Sequence, residues 1–149
     1  MSVVPRERVI IVGGGFSGAM VAAHVAARGV ACTVIEPGEL GRGLAYGPAA
    51  RDGLLLNTHA CFMSALPDDP DHFARWYSGH RAGFEKRSAY GAYVGETVAA
   101  MAGERLAHVR ARAIAVERHC DAFEVVCADG SLHAGGADRK STRLNSSHT

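Results

Sequence analysis

A chain of 149 residues is long enough for one hydrophobic core and short for two. Hydrophobic residues make up 48%, charged residues 21%, and the formal net charge is +1. These are the proportions of a soluble globular domain, without the basic field of a nucleic-acid binder or an acidic solvating tail.

The first predicted strand, residues 8–12, begins within ten residues of Met1, so no secretory signal is expected. The longest apolar stretch, residues 19–27, is interrupted by His24 and is too short to span a bilayer. The four cysteines Cys32, Cys61, Cys120 and Cys127 form no CxxC pair. Reduced thiols and a cytoplasmic location are expected, with Cys32 and Cys127 as small core residues. The eight histidines show no HxH or HExxH spacing, so no metal site is expected.

Val9-Ile10-Ile11-Val12 runs into Gly13-Gly14-Gly15-Phe16-Ser17-Gly18. A helix over residues 17–28 follows, with Gly29 as its left-handed stop. Its residues are apolar nearly all round, which predicts burial on every side. A second apolar strand, residues 30–35, ends at Glu36, 18 residues after Gly18. This is the order a dinucleotide requires. Gly13 permits the tight turn, Gly15 lets the backbone approach a pyrophosphate, and Gly18 lets the helix pack closely. The N–H groups at the helix start, with Phe16 and Ser17, face the phosphates. Glu36 can accept hydrogen bonds from a ribose 2′-OH and repels a 2′-phosphate, which favours FAD or NAD over NADP.

Residues 37–70 read as mostly irregular, and so long a loop is usually functional. A short helix is expected over residues 71–78, and a longer one from a Ser88 cap to about Met101, ended by Gly103. Residues 109–117 and 123–128 alternate with period two, and Asp129-Gly130 is a hairpin signal leading to a return strand over 132–134. A long loop, two helices and a meander before the next parallel strand favour FAD over a plain NAD domain. Asp68, Asp69, Asp71 and His72 cluster beside Pro67 and Pro70 and read as turn and cap residues, so no catalytic acid–base pair is assigned.

Taken together, Val9 to Gly18, Glu36-Pro37, Gly41-Arg42-Gly43-Leu44-Ala45-Tyr46, Leu55-Leu56-Asn57, Met63-Ser64, Phe73-Ala74-Arg75-Trp76 and Tyr90-Gly91-Ala92-Tyr93 resemble the N-terminal part of FAD/NAD(P)-binding proteins related to FAD-dependent urate hydroxylase and similar flavin monooxygenases. The resemblance implies an α/β, Rossmann-like FAD-binding domain with a parallel sheet and an inserted β-meander. It implies FAD as cofactor, NAD(P)H as electron donor and a small-molecule substrate. It also implies that Ala45, Tyr46, Asn57 and Met63 lie near the flavin or its phosphates, with loop packing as the other reading of Tyr46 and Met63. The absence of a cysteine pair after Glu36 argues against the dithiol flavin reductases. A plain NAD-dependent dehydrogenase and a non-functional fragment remain the rival readings.

Asp138-Arg139-Lys140-Ser141-Thr142-Arg143-Leu144-Asn145-Ser146-Ser147-His148 is polar and unpatterned. These eleven residues look like a common short-read sequencing adapter translated in frame. Residues 138–149 are therefore expected to be a non-native, disordered tail, and residues 1–137 an incomplete domain whose continuation supplies a further parallel strand beside the first.

Overall fold

The computed structural model describes residues 8–46, 55–56, 63–77 and 86–135. The expectations for Asn57, Cys61 and the tail from Asp138 lie outside them.

The chain opens with β1 (Arg8–Val12), α1 (Phe16–Ala27) and β2 (Ala31–Ile35). The two strands are parallel, with Ile10 opposite Thr33 and Val12 opposite Ile35. Branched residues dominate them, as suits a pleated and mostly covered surface. At the end of α1, the Gly29 N–H donates to the Ala26 carbonyl and the Val30 N–H to the Val25 carbonyl. Gly29 makes this stop with φ +90°. The helix is not buried all round. Ala19, Met20, Ala22, Ala23 and Ala26 face inward, whereas Val21 is 53% exposed. Alanine carries little hydrophobic contrast between faces, so the sequence does not reveal which side meets water.

The long loop, expected to be irregular, contains a one-turn helix, α2 (Gly43–Tyr46). Then come α3 (His72–Trp76) and α4 (Arg87–Ala102). Lys86, in extended conformation, is the N-cap of α4, with no side-chain cap bond, and Ser88 lies inside the helix. The predicted Ser88 cap is therefore corrected, while Gly103 ends α4 with φ +58°.

The larger correction concerns the single meander strand expected over residues 109–117. Two strands stand there instead, β3 (Leu106–Val109) and β4 (Ala113–His119). β3 pairs with β2 in parallel, Cys32 opposite Leu106 and Ile35 opposite Val109. The chain then turns through Arg110, Ala111 and Arg112 into an antiparallel meander of β4, β5 (Ala122–Cys127) and β6 (Leu132–Ala134). The first sheet has the order β1-β2-β3, so a parallel strand precedes the meander. The predicted Asp129-Gly130 turn is present. Gly130 has φ +86°, and Asp129 accepts hydrogen bonds from the Ser131 N–H and hydroxyl at 2.9 and 2.6 Å.

Three apolar clusters hold the described parts together. Ala19, Met20 and Ala23 of α1 meet Phe73, Tyr90, Tyr93, Val94 and Val98 of α3 and α4. Ile10 and Ile35 meet Ala111, Val125 and Cys127, which fastens the meander to the parallel sheet. Buried Cys32 packs in strand β2, as expected. Its thiol is pushed up by burial.

Candidate dinucleotide-binding site

The site begins where β1 ends. Gly13 has φ +96° with open space around its Cα, so backbone conformation alone demands glycine there. Its N–H donates to the Ile35 carbonyl at 2.9 Å. A Cβ at Gly18 would lie 2.0 Å from the Gly13 carbonyl oxygen and 3.5 Å from a methyl of Ile11. Gly18 therefore lets the first turn of α1 sit directly on the glycine turn and β1. Gly15 is the N-cap, in extended backbone, without a side-chain cap bond, and the first turn of α1 holds no acidic residue. The positive end of α1 is thus left for an anion. Phe16 and Ser17 are exposed at that end.

Glu36 closes the site from the end of β2. Its Oε1 accepts the Gly14 N–H at 2.8 Å, and its Oε2 accepts the Gly38 N–H at 2.8 Å. A Cβ on Gly14 would come within 2.8 Å of the Glu36 Cβ and 2.7 Å of Leu40. The Gly41 N–H donates to the Gly14 carbonyl at 2.7 Å. One carboxylate and one main-chain bond therefore hold the loop after β2 against the glycine turn. Each carboxylate oxygen keeps further acceptor capacity for a ribose hydroxyl. The Glu36 main chain is fixed in turn, its N–H by the Val109 carbonyl and its carbonyl by His108 Nε2, both at 2.9 Å.

The same loop approaches the start of α1. A Cβ on Gly43 would lie 3.1 Å from the Gly15 Cα, so two glycines face each other across the turn. Ala45 falls within α2. The Tyr46 ring centroid lies 5.1 Å from that of Tyr90, and Tyr46 packs with Met63 against the core of α1 and α4. The structure thus gives both residues a packing role. Burial pushes the Tyr90 phenol well above its ordinary value, with Tyr93 and Tyr46 adding to the effect. An open pocket of about 350 Å³ adjoins this loop, lined among others by Glu39, Arg42, Gly91, Gly95, Glu96 and His108.

The acidic cluster at 68–72 has no catalytic arrangement. Asp69 is ion-paired with Arg75, and Asp71 is the N-cap of α3 without a side-chain bond. His72 Nδ1 is hydrogen-bonded to the Tyr93 hydroxyl at 2.7 Å, and that hydroxyl accepts the Ala65 N–H at 2.9 Å. These groups tie the 63–77 segment to α4. Sequence reasoning placed Gly13, Gly15, Phe16, Ser17, Gly18 and Glu36 together, and the structure does so as well. It missed Gly14, Gly38 and His108 as the partners of Glu36. For Gly14 the only sequence signal is its place in the motif, and His108 carries none.

The sequence profile of a family described as FAD-NAD(P)-binding matches residues 10–139. The chain belongs to that family. No curated protein matches it. Among solved structures, this member is similar to a flavin-containing monooxygenase from Stenotrophomonas maltophilia, with TM-score 0.63 and 20% identity over 87% of this chain and 36% of that one. It is similar to OTEMO in complex with FAD and NADP, with TM-score 0.61 and 18% identity over 89% and 25% of the two chains. It is also similar to the bacillithiol disulfide reductase Bdr from Staphylococcus aureus, with TM-score 0.61 and 17% identity over 87% and 36%. The shared fold is the Rossmann-like FAD-binding architecture of flavin-dependent oxidoreductases. The chain spans about a third of the length of the flavin-containing monooxygenase it matches. No described helix is long and apolar enough to cross a membrane.

Proposed function

We propose that this chain is the cofactor-binding portion of a larger FAD-dependent monooxygenase that takes hydride from NAD(P)H and oxidises a small molecule. The observation that carries the reading is the Glu36 carboxylate held 2.8 Å from the Gly14 N–H, beside the uncapped start of α1. That pairing sets an acceptor for ribose hydroxyls next to a donor array for phosphate.

The residues fit FAD. The glycine turn leaves no side chain between the start of α1 and an approaching pyrophosphate. We assign the pyrophosphate to Gly13, Gly15, Phe16, Ser17 and Gly18, and the adenosine ribose to Glu36. Ala45, Tyr46, Asn57 and Met63 belong to the loop assigned to the flavin side. FAD supplies the redox chemistry when bound, and these residues bind and orient it. Catalytic residues and the substrate pocket belong to the rest of the parent. The dithiol class of flavin reductases is disfavoured because no cysteine pair stands in the segment after Glu36.

Purification of the chain, followed by heat release and chromatography of bound nucleotide, tests the reading. Released FAD, or saturable quenching of FAD fluorescence by the apoprotein, supports it. Saturable binding of NAD with none of FAD overturns it in favour of a dehydrogenase. For the parent, extension of the reading frame in genomic DNA followed by assay of flavin-dependent NAD(P)H oxidation decides the activity.

A further inference from the structure

We propose that the β4–β5 hairpin carries a surface site for a first-row divalent cation of the zinc type, held by Glu117, His119 and Glu124. It uses none of the residues of the glycine turn. One potential ligand atom from each of the three side chains lies within 4.8 Å of the other two. His119 Nε2 is 3.6 Å from Glu117 Oε1 and 3.4 Å from Glu124 Oε1. Zinc bonds to imidazole and carboxylate are about 2.0–2.2 Å long, which puts two ligands of a tetrahedron roughly 3.3–3.6 Å apart. The two spacings from His119 match that edge.

The backbone explains how the three meet. Glu117 and His119 are two residues apart on β4 and share a face. Glu117 is directly opposite Glu124 in the antiparallel register, and His119 is opposite Ala122, one step along the same face. Two carboxylates directly across a strand pair repel each other unless a cation lies between them. The His119 imidazole stands close to both carboxylates, and a bound metal ion would hold all three groups in place of the ion pairs that a protonated imidazole makes with them. The imidazole selects the class of metal, since magnesium and calcium prefer all-oxygen sites. Three protein ligands leave one tetrahedral position for water. His119 is 59% exposed and Glu117 56%, so an ion has open access.

Calorimetric titration of the full chain with zinc chloride tests the site, beside magnesium chloride. The expected result is one saturable zinc equivalent, with magnesium ignored. His119→Ala and Glu124→Gln should each weaken zinc binding at least tenfold, whereas Cys120→Ser should leave it unchanged. The altered side chains lie on the hairpin surface, and circular dichroism of each variant checks that the fold is kept. Zinc should also raise the melting temperature of the parent chain and not that of His119→Ala. No saturable zinc binding, or binding that survives His119→Ala or is lost in Cys120→Ser, overturns the proposal.

Discussion

Glu36 accepts the Gly14 N–H at 2.8 Å across 22 residues of chain, and its second oxygen accepts the Gly38 N–H at the same distance. The residue expected to read the ribose is thus also a brace of the fold. Glu36→Ala should lower the stability of the cofactor-free chain by about 1–3 kcal/mol, the usual cost of stranding polar groups that met a charged acceptor. It should also weaken FAD binding. Chemical denaturation of apoprotein separates the two effects: an unchanged midpoint would show that Glu36 acts on the cofactor alone.

The phosphate turn makes a second pair of tests, because its glycines are required for different reasons. A Cβ at Gly18 would meet the Gly13 carbonyl oxygen at 2.0 Å, and main chain cannot move aside. Gly18→Ala should therefore cost about 3 kcal/mol or more and disturb the start of α1. Gly15 has ordinary extended angles, φ −67° and ψ −162°, and a Cβ there would sit 3.5 Å from the Gly43 Cα. Gly15→Val should keep the fold yet fill the space a pyrophosphate needs. The predicted signature is a near-normal melt with no retained flavin. Stoichiometric FAD in that variant would remove Gly15 from the site.

These glycines show why the nucleotide turn is legible in the sequence. Turn, helix start and strand lie within a few residues of each other, so local conformational demands write the motif directly. The third strand is different. Residues 109–117 read as one period-two run, and the corner at Arg110, Ala111 and Arg112 carries no glycine or proline to mark it. Only tertiary packing of Ala111 against Ile10, Ile35 and Val125 separates the parallel β3 from the meander. The Glu117–His119–Glu124 group is hidden for a related reason. The register of β4 on β5 brings it together, and no spacing of histidines announces it.

A third prediction concerns acid. Arg75 donates to the Asp69 carboxylate, and this hydrogen bond holds the carboxyl below its ordinary value. A carboxylate depressed in the folded state contributes stability above its unfolded pKa, about 3.9. That contribution is lost as pH falls through the lower folded value. Asp69→Asn should therefore melt slightly below the parent at pH 7, with a small effect because the pair is exposed. The gap should close as pH falls below about 4. A gap that stays constant from pH 7 to pH 3 would assign the Asn effect to something other than charge.

The last prediction concerns the thiols. Cys32 and Cys127 are buried at 0% and 1% exposure, while Cys120 sits exposed at the corner between β4 and β5 with φ +54°. The thiolate is the reactive form, and burial disfavours it. Burial pushes the Cys32 thiol up despite an opposing pull from Arg8, and its Sγ lies 3.5 Å from the Ala22 carbonyl, which it can approach only as a thiol donor. A raised thiol value favours folding at neutral pH, and that advantage falls as pH rises through the folded value. Ellman's reagent at pH 8 should therefore modify Cys120 quickly and leave Cys32 and Cys127 untouched until the chain unfolds. Peptide mapping of the modified protein identifies the sites. Rapid labelling of Cys32 in folded protein would mean that β2 and α1 open readily, and the packing of Ala22 and Ala26 over that strand would then be wrong. The Cys120→Ser variant should lose the part of the fast labelling that mapping assigns to Cys120 and keep the slow labelling of Cys32 and Cys127.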